Sequence, residues 1–357
     1  MHRPNRAPAQ RFRFEQYLPA LDDAGIEHRQ TFFIDARGDE RFYAAGSALD
    51  KVAVVAAGHA RRAVEVARGD REDVVFVQRE AAVGPGTWWE RLLARGRRLV
   101  YDFDDAIWIR DVSEANRRYA RLKPTGKVEK LAGEADLVLA GNEYLASYAR
   151  RFSDRVAVFP TTIDTDRYRP RPPTDDERVV IGWSGSRSTL AHLRTVLPAL
   201  EAVHRRYGDR VRFEVVGDQP LEGTGLPVDF VRWTPDGEVD ALHRFDIGIM
   251  PLPDNEWTQG KCGCKGLQYM GCAIPAVVSP VGVNRDIVTD GDNGMWATTT
   301  DEWVDRLGAL VEDADLRARV GAAGRRTVVE HYSVAATAPT FVGYLRDLAA
   351  GRDPLSS

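Results

Sequence analysis

The sequence predicts an α/β protein made of two parallel-sheet domains that face each other across a cleft. Three observations support this prediction: short apolar runs alternate with longer amphipathic stretches, a proline-rich charged segment interrupts the alternation, and the alternation then restarts. Continuous apolar runs separated by helices are typical of parallel strands covered on both faces. A length of 357 residues suits two domains of roughly 150 residues each.

The first domain is predicted over residues 1–163. Its expected strands are the apolar runs Val74–Val77, Leu99–Tyr101, Leu137–Ala140 and Val156–Phe159. Its expected helices are Thr87–Arg95, Ala115–Gly133 and Glu143–Phe152. Met1–Arg13 contains no strand-like run, although the first strand of such a sheet is usually central. Two explanations stay open: the chain starts late, or Thr31–Ile34 takes this place in an altered strand order.

Residues 164–178 are proline-rich and charged without apolar periodicity, which predicts a linker. The second domain is predicted over residues 179–332. Its expected strands are Val179–Trp183, Val211–Val216, Val228–Val231, Ile247–Met250 and Ala276–Val278. Its expected helices are Thr189–Tyr207, Asp301–Glu312 and Asp315–His331. A last helix within residues 333–357 is a candidate to cross back onto the first domain.

The composition argues against several classes of protein. Lys and Arg total 49 against 53 Asp and Glu, whereas a domain that grips nucleic acid usually carries a basic excess. The three cysteines all lie between residues 262 and 272, so reduced thiols are expected rather than a disulfide framework or a zinc site. No apolar run reaches the ~18–20 residues of a membrane span. We expect a cytoplasmic protein; contact of the arginine-rich start with the inner face of the membrane stays open.

The segment Gly182–Ser188 (GWSGSRS) joins a predicted strand to a predicted helix that Ser188 would cap. A turn of small residues lets backbone N–H groups approach an anion, and the helix dipole favours negative charge there. The candidate anion-binding residues are Ser184, Gly185, Ser186 and Arg187. An ordinary tight turn is the alternative, because the segment matches neither the Walker loop nor the dinucleotide-binding G-x-G-x-x-G pattern.

A second candidate segment, Trp257–Met270, follows the strand at Ile247–Met250 and is predicted to open a helix. Lys261 and Lys265 are four residues apart, so both are expected on one helical face. Cations are disfavoured at a helix N-terminus, so two lysines there favour an anionic ligand. A solvated basic face is the alternative.

The residues after this helix carry a family resemblance. Tyr269–Ser279 reads YMGCAIPAVVS, and Gly282 and the triplet Asp286–Val288 (DIV) follow. This segment resembles the donor-binding signature of glycosyltransferase family 4, the bacterial glycosyl transferase group 1 type. The resemblance implies a GT-B fold of two Rossmann-like domains. It also implies retaining, metal-independent transfer of a hexosyl-type sugar from a nucleoside-diphosphate sugar to a glycan or other hydroxyl acceptor. No further cofactor is implied; polysaccharide or cell-envelope synthesis is the family-level setting.

The resemblance also implies roles for residues of the second domain. The family carries two glutamates eight positions apart, and Gly260 and Gln268 stand at these positions here. An amide can still bind ribose hydroxyls, whereas a glycine has no side chain to contact the sugar. The implied donor contacts are the diphosphate for Lys261 and Lys265, backbone N–H groups around Gly263 and Cys264, and the base for Trp233. A core tryptophan is the alternative for Trp233.

In the first domain, Tyr101–Trp108 (YDFDDAIW) places three carboxylates at the end of a strand. Like charges at close range raise a pKa, which makes such clusters candidates for chemistry. The family often has a His-Asp pair here, so the resemblance leaves Asp104 or Asp105 to orient or deprotonate the acceptor hydroxyl. A capping cluster and a weaker Mg²⁺ site are alternatives. The trio Arg11, Arg13 and Gln16 resembles an acceptor-side segment.

Two other functions stay open at this stage. The first is a catalytically inactive GT-B protein that binds a nucleotide sugar or glycan as a scaffold or sensor, because both family glutamates and the histidine are replaced. The second is an oxidoreductase of Rossmann type, against which the missing dinucleotide fingerprint argues. The base, the sugar, the acceptor and the oligomeric state are not predicted.

Overall fold

The computed structural model describes residues 7–43, 48–69, 72–109, 126–171 and 178–356. The chain forms two compact units: Met1–Pro160 with Ala338–Ser357, and Thr161–Thr337. Each unit has its own parallel β-sheet, as the sequence predicts for an α/β fold. Within the described ranges, no helix is both long and apolar enough to cross a membrane.

The sheet of the first unit has four parallel strands in the order β1-β2-β3-β4. Their bounds are β1 Val74–Gln78, β2 Arg98–Phe103, β3 Leu137–Ala140 and β4 Val156–Val158. All four predicted strands of this region are therefore confirmed. All four residues of β3 are buried, which agrees with the continuous apolar run that predicted it.

The helices before β1 were not predicted. They are α1 Pro8–Arg13, α2 Leu18–Asp23, α3 Ala36–Tyr43 and α4 Ala48–Arg68. Of the two explanations left open for the start of this domain, a strand at Thr31–Ile34 is wrong: Phe33 and Ile34 lie in a bend and pack into a small core with Trp89. The later helices of the unit are α5 Trp88–Leu93, α6 Lys127–Glu134 and α7 Glu143–Ala149. The N-terminal part of the expected helix Ala115–Gly133 lies outside the described residues.

A buried arginine holds helix α1 against the sheet of the first unit. Arg13, the last residue of α1, is 0% exposed and forms a buried ion pair with Asp102 of β2. Its Nε donates to both carboxylate oxygens, at 3.0 and 3.2 Å, and its Nη1 donates to the carbonyl oxygen of Phe159 at 2.6 Å. Helix α1 is thus tied to strand β2 and to the residue that follows β4 by side-chain hydrogen bonds.

The sheet of the second unit has six parallel strands in the order β10-β9-β8-β5-β6-β7. Their bounds are β5 Val179–Gly185, β6 Val211–Gly217, β7 Val228–Arg232, β8 Ile247–Met250, β9 Ala276–Val278 and β10 Met295–Trp296. The five predicted strands are confirmed. Strand β10 was missed because two residues carry no periodicity.

The remaining helices are α8 Leu190–Arg194, α9 Leu197–Tyr207, α10 Glu238–Leu242, α11 Glu256–Gln259, α12 Cys264–Gly271, α13 Asn284–Ile287, α14 Thr300–Glu312, α15 Ala314–His331 and α16 Val334–Ala349. The expected single helix Thr189–Tyr207 is wrong, because α9 restarts with Pro198 in its first turn. Proline has no N–H to donate to the preceding turn, so it is tolerated at a helix start and not inside.

Two segments outside the sheets, residues 164–171 and helix α16, are held by side-chain contacts. Within the expected linker 164–178, Tyr168 is 1% exposed and Arg171 pairs with Asp246 of the second unit. Residues 172–177 lie outside the described residues. At the other end of the chain, the ring of Phe341 in α16 packs against the ring of Tyr17 in a tilted arrangement at a centroid distance of 4.8 Å, within the first unit.

Candidate functional site

The strand order of the second unit fixes where a ligand is expected. Strand β5 pairs with β6 on one side and with β8 on the other, so the direction of strand succession reverses at β5. In open parallel sheets, ligands bind beyond the carboxyl ends of the strands at this reversal. The predicted donor-binding residues follow the carboxyl ends of β5, β7 and β8, so the fold brings the three loops that carry them to one edge of the sheet.

Strands β5 and β6 both end in a glycine, so their backbones lie close together without side chains between them. Gly185 pairs with Gly217 across β5 and β6, and a Cβ on Gly217 would lie 2.6 Å from the carbonyl oxygen of Gly185. Ser186, rather than the predicted Ser188, is the capping residue, and it exchanges hydrogen bonds with Thr189. Arg187 is exposed beside it. The helical segments that follow are short, so the dipole behind this turn is weaker than one long helix would supply.

Helix α12 begins at Cys264, later than predicted. Its capping residue Gly263 has a φ of +68°, and a Cβ there would lie 2.4 Å from Cδ1 of Ile287, so both backbone and packing require glycine. The first N–H groups of any helix have no partner within the helix. The phenol oxygen of Tyr269 accepts a hydrogen bond from the N–H of Ser184 at 2.9 Å, which joins α12 to the end of β5.

The two lysines lie against aromatic rings near this helix start. Nζ of Lys261 is 3.3 Å from the ring centroid of Trp257, and Nζ of Lys265 is 5.9 Å from that of Trp183. Lys261 precedes α12 and Lys265 is its second residue, so the expectation of one shared helical face is wrong. Cation–π contacts at this range hold an ammonium group in place without neutralising its charge.

A buried hydrogen-bonded chain connects Gln268 with Trp233. Nε2 of Gln268 donates to the hydroxyl of Tyr168 at 3.1 Å, and this hydroxyl donates to the carboxylate of Glu238. Nε1 of Trp233 donates to the same carboxylate at 2.8 Å. Trp233 is half-buried, which fits neither a pure core tryptophan nor a freely exposed one. Sequence reasoning missed Tyr168 and Glu238, because nothing local marks residues that lie 70 positions apart as partners.

The acidic cluster of the first unit divides into two parts. Asp102 is 0% exposed and pairs with Arg13, and burial raises the pKa of Asp102 to about 6 against the opposing charge of that arginine. Asp104 accepts from Nε of Arg79 at 2.9 Å, and Asp105 lies 3.6 Å from Nη2 of the same residue. Arg79 has a φ of +60°, a strained value for a residue with a side chain. Such strain at a loop is a reason to suspect function.

The acceptor-side trio is not brought together as expected. Arg13 is enclosed by Asp102 and Phe159, so its assignment to an acceptor is wrong. Gln16 donates to the carbonyl oxygen of Phe12 at 2.9 Å, and Arg11 is 8% exposed. These contacts make the segment part of the packing around α1.

The described residues offer no metal cluster, and the pKa of one buried thiol is raised. They contain no group of three or more His, Cys, Asp or Glu side chains arranged to hold a metal ion. The cysteines are free thiols: Cys262 and Cys272 are buried, and Cys264 is half-buried. Burial raises the pKa of Cys272 to about 12, so this thiol is unreactive in the folded protein.

Comparison with known proteins agrees with this geometry. Residues 178–313 match the model of the family described as "Glycosyl transferases group 1". Comparison with curated proteins gave no match.

Several solved structures are similar over most of the chain. Sucrose-phosphate synthase from Thermosynechococcus elongatus is 14% identical, with 84% of this chain and 79% of that protein covered and a TM-score of 0.63. HepE from Anabaena, in complex with UDP and glucose, is 17% identical, with 81% and 82% covered and a TM-score of 0.60. A glycosyltransferase from Rickettsia africae is 11% identical, with 93% and 87% covered and a TM-score of 0.61. The chain therefore has the GT-B fold that its sequence resembles, and its residues 178–313 match the model of the group 1 glycosyl transferases.

Proposed function

We propose that this glycosyltransferase moves a hexosyl-type sugar from a nucleoside-diphosphate sugar to a hydroxyl acceptor with retention at the anomeric carbon. The observation that carries the proposal is a cation in the first turn of a helix at the ligand-binding edge of the sheet. Lys265 occupies the second position of α12, where the helix dipole disfavours a positive charge. A bound diphosphate removes that conflict. HepE, a protein of similar fold, is known in complex with UDP-glucose.

The leaving diphosphate gains negative charge as the glycosidic bond breaks. Lys261 and Lys265, the N–H groups around Gly263 and Cys264, and the turn Ser184–Arg187 with its guanidinium would stabilise this charge. Because these groups are held by ring contacts and by the Tyr269–Ser184 hydrogen bond, they need little reorganisation during the reaction. We further propose that transfer needs no metal ion, since the cations of the chain supply the compensating charge.

For the acceptor side we propose Asp104 and Asp105 as the residues that orient the acceptor hydroxyl. Arg79 contacts both carboxylates and holds them in place, and a carboxylate oxygen accepts a hydrogen bond from a hydroxyl. TarM, of similar fold, has a structure with fondaparinux, α-GlcNAc-glycerol and UDP. A glycan acceptor in polysaccharide or cell-envelope synthesis is the setting that we propose for this chain.

The donor assignment is tested by calorimetry with UDP, GDP and ADP and with the matching nucleosides. We expect Lys265→Ala to weaken binding of the preferred diphosphate about tenfold and to leave nucleoside binding unchanged, because a charge-assisted contact is lost only at the phosphates. Arg205→Ala is the control, because it removes one exposed cation from α9 of the same unit. Equal diphosphate affinity in wild type and Lys265→Ala would remove the basis of the assignment.

A second function calls for a direct test because Gly260 has no side chain to contact a donor sugar. In this alternative the protein binds a nucleotide sugar without turning it over, as a scaffold or sensor. Slow release of free sugar from a bound donor, followed by mass spectrometry without any acceptor, supports the enzyme. A bound donor that stays intact through a long incubation supports the binding protein.

A further inference from the structure

The four side chains Trp233, Glu238, Tyr168 and Gln268 form a hydrogen-bonded chain whose inner members are almost fully buried. Tyr168 is 1% exposed, and Glu238 and Gln268 are each 4% exposed. The chain joins Trp233, for which the sequence resemblance implies contact with the base, to Gln268, for which it implies contact with the ribose. Glu238 is the branch point, since one carboxylate oxygen accepts from the indole and the other from the phenol.

The direction of each hydrogen bond follows from the carboxylate. An ionised Glu238 can only accept, so the indole N–H and the phenol O–H both donate to it. The phenol of Tyr168 has one proton, which is used in this contact, and its oxygen can therefore only accept from Gln268. The NH₂ end of an amide donates and the carbonyl end does not. The orientation of the Gln268 amide is thus determined by residues 100 and 30 positions earlier in the sequence.

We propose that Tyr168 and Glu238 are positioning residues that make Gln268 present its carbonyl oxygen to the ribose hydroxyls of the donor. This inference rests on the proposed function. With Nε2 donating to Tyr168, Oε1 lies on the side of Cys264 and accepts a weak hydrogen bond from its thiol at 3.9 Å, so the second lone pair of this oxygen can accept from a hydroxyl. Cys264 is the half-buried first residue of α12, at the donor-binding edge. A fixed amide oxygen accepts from a hydroxyl as a carboxylate oxygen does, without adding a negative charge beside the diphosphate.

The same arrangement makes a glutamate at position 268 unfavourable in this chain. Gln268→Glu places a second carboxylate against a phenol whose proton is already donated to Glu238, so one buried carboxylate loses its donor. The double variant with Glu238→Gln and Gln268→Glu exchanges the two residue types and reverses the direction of the hydrogen bonds at Tyr168. Tyr168 then donates to the new carboxylate at position 268 and accepts from the new amide at position 238, while the indole N–H donates to the amide oxygen.

The test measures how strongly the protein distinguishes a ribose from a sugar without hydroxyls. UDP, GDP and ADP are titrated by calorimetry, and the tightest binder is compared with its 2′,3′-dideoxy form. We expect Tyr168→Phe to weaken binding of the ribonucleotide about tenfold while the dideoxy affinity stays within about twofold, so that the discrimination is lost. Tyr207→Phe is the matched control, because it removes a tyrosine–glutamate contact of 2.6 Å to Glu312 elsewhere in the unit.

If Tyr168→Phe does not fold, Gln268→Glu and the double variant with Glu238→Gln test the same inference. We expect Gln268→Glu to weaken ribonucleotide binding about tenfold and the double variant to recover to within about threefold of wild type. Wild-type binding with unchanged discrimination in Tyr168→Phe, or a double variant no better than Gln268→Glu, overturns this inference alone. Absence of binding to all three nucleotides by the wild type overturns the proposed function and this inference with it.

Discussion

Replacing Arg13 by methionine tests how much the buried ion pair with Asp102 contributes to the stability of the first unit. Arg13→Met keeps the length of the aliphatic side chain but leaves the carboxylate of Asp102 and the carbonyl oxygen of Phe159 without their donor. Both members of the pair are 0% exposed, so water cannot replace the lost contacts. Removing one partner of a buried pair is far more costly than removing an exposed one.

The cost is expected to depend on pH in a defined way. Burial already raises the pKa of Asp102 to about 6 in the wild type, and loss of the cation raises it further. Below pH 6 both folded proteins hold the carboxyl proton, so the free energies of unfolding differ by about 1–3 kcal/mol for the lost hydrogen bonds. Above pH 6 the wild type releases the proton and the variant keeps it. Since the unfolded chain has released it in both, the difference grows by about 1.4 kcal/mol per pH unit.

Urea titrations give the free energy of unfolding, and hydrogen exchange of peptides from β2 assigns the change to the first unit. At pH 8, two units above the wild-type pKa, we expect a difference of about 4–6 kcal/mol. The double variant Arg13→Met with Asp102→Leu should recover most of it and lose the pH dependence. Arg98→Met, which removes an exposed pair with Asp136, should change stability by less than about 1 kcal/mol. A difference that is the same on both sides of pH 6 would refute the reasoning.

Three further predictions concern the two candidate sites. Arg79→Ala should raise the KM for the acceptor about tenfold and leave nucleotide affinity unchanged, because Asp104 and its neighbour lose the guanidinium that holds both carboxylates; an unchanged KM contradicts this. Cys264 should react with iodoacetamide more slowly when a nucleoside diphosphate is bound, while Cys272 should react only on unfolding, as peptide mass spectrometry will show. Gly263→Ala should lower the free energy of unfolding by about 1–2 kcal/mol or more, because a side chain is strained at a φ of +68°; unchanged urea stability argues against it.

The strands of both units were predictable because parallel strands buried on both faces appear as continuous apolar runs. Leu137–Ala140 and Ala276–Val278 are examples in which the predicted and observed bounds coincide. The helices before Val74 were not predictable in the same way. Charged side chains are frequent in Ala36–Tyr43, whose sequence is ARGDERFY, and Pro8–Arg13 buries polar and charged side chains beside the single buried apolar residue Phe12. Such contacts form with residues far along the chain, which no local pattern records.

At the proposed donor-binding edge, too, some features follow from local sequence and others from contacts between distant residues. This difference affects how departures from the family pattern should be interpreted. The signature around Cys272 was sufficient to place α12 and the loops beside it, because glycines and a buried strand follow from local sequence. The replacement of a glutamate by Gln268 looks like a loss of function when the signature is considered alone. The structure pairs this amide with Tyr168, whose hydroxyl is committed to Glu238. A residue that departs from a motif is therefore best judged with its buried partners, because here they determine which end of the amide a ligand would meet.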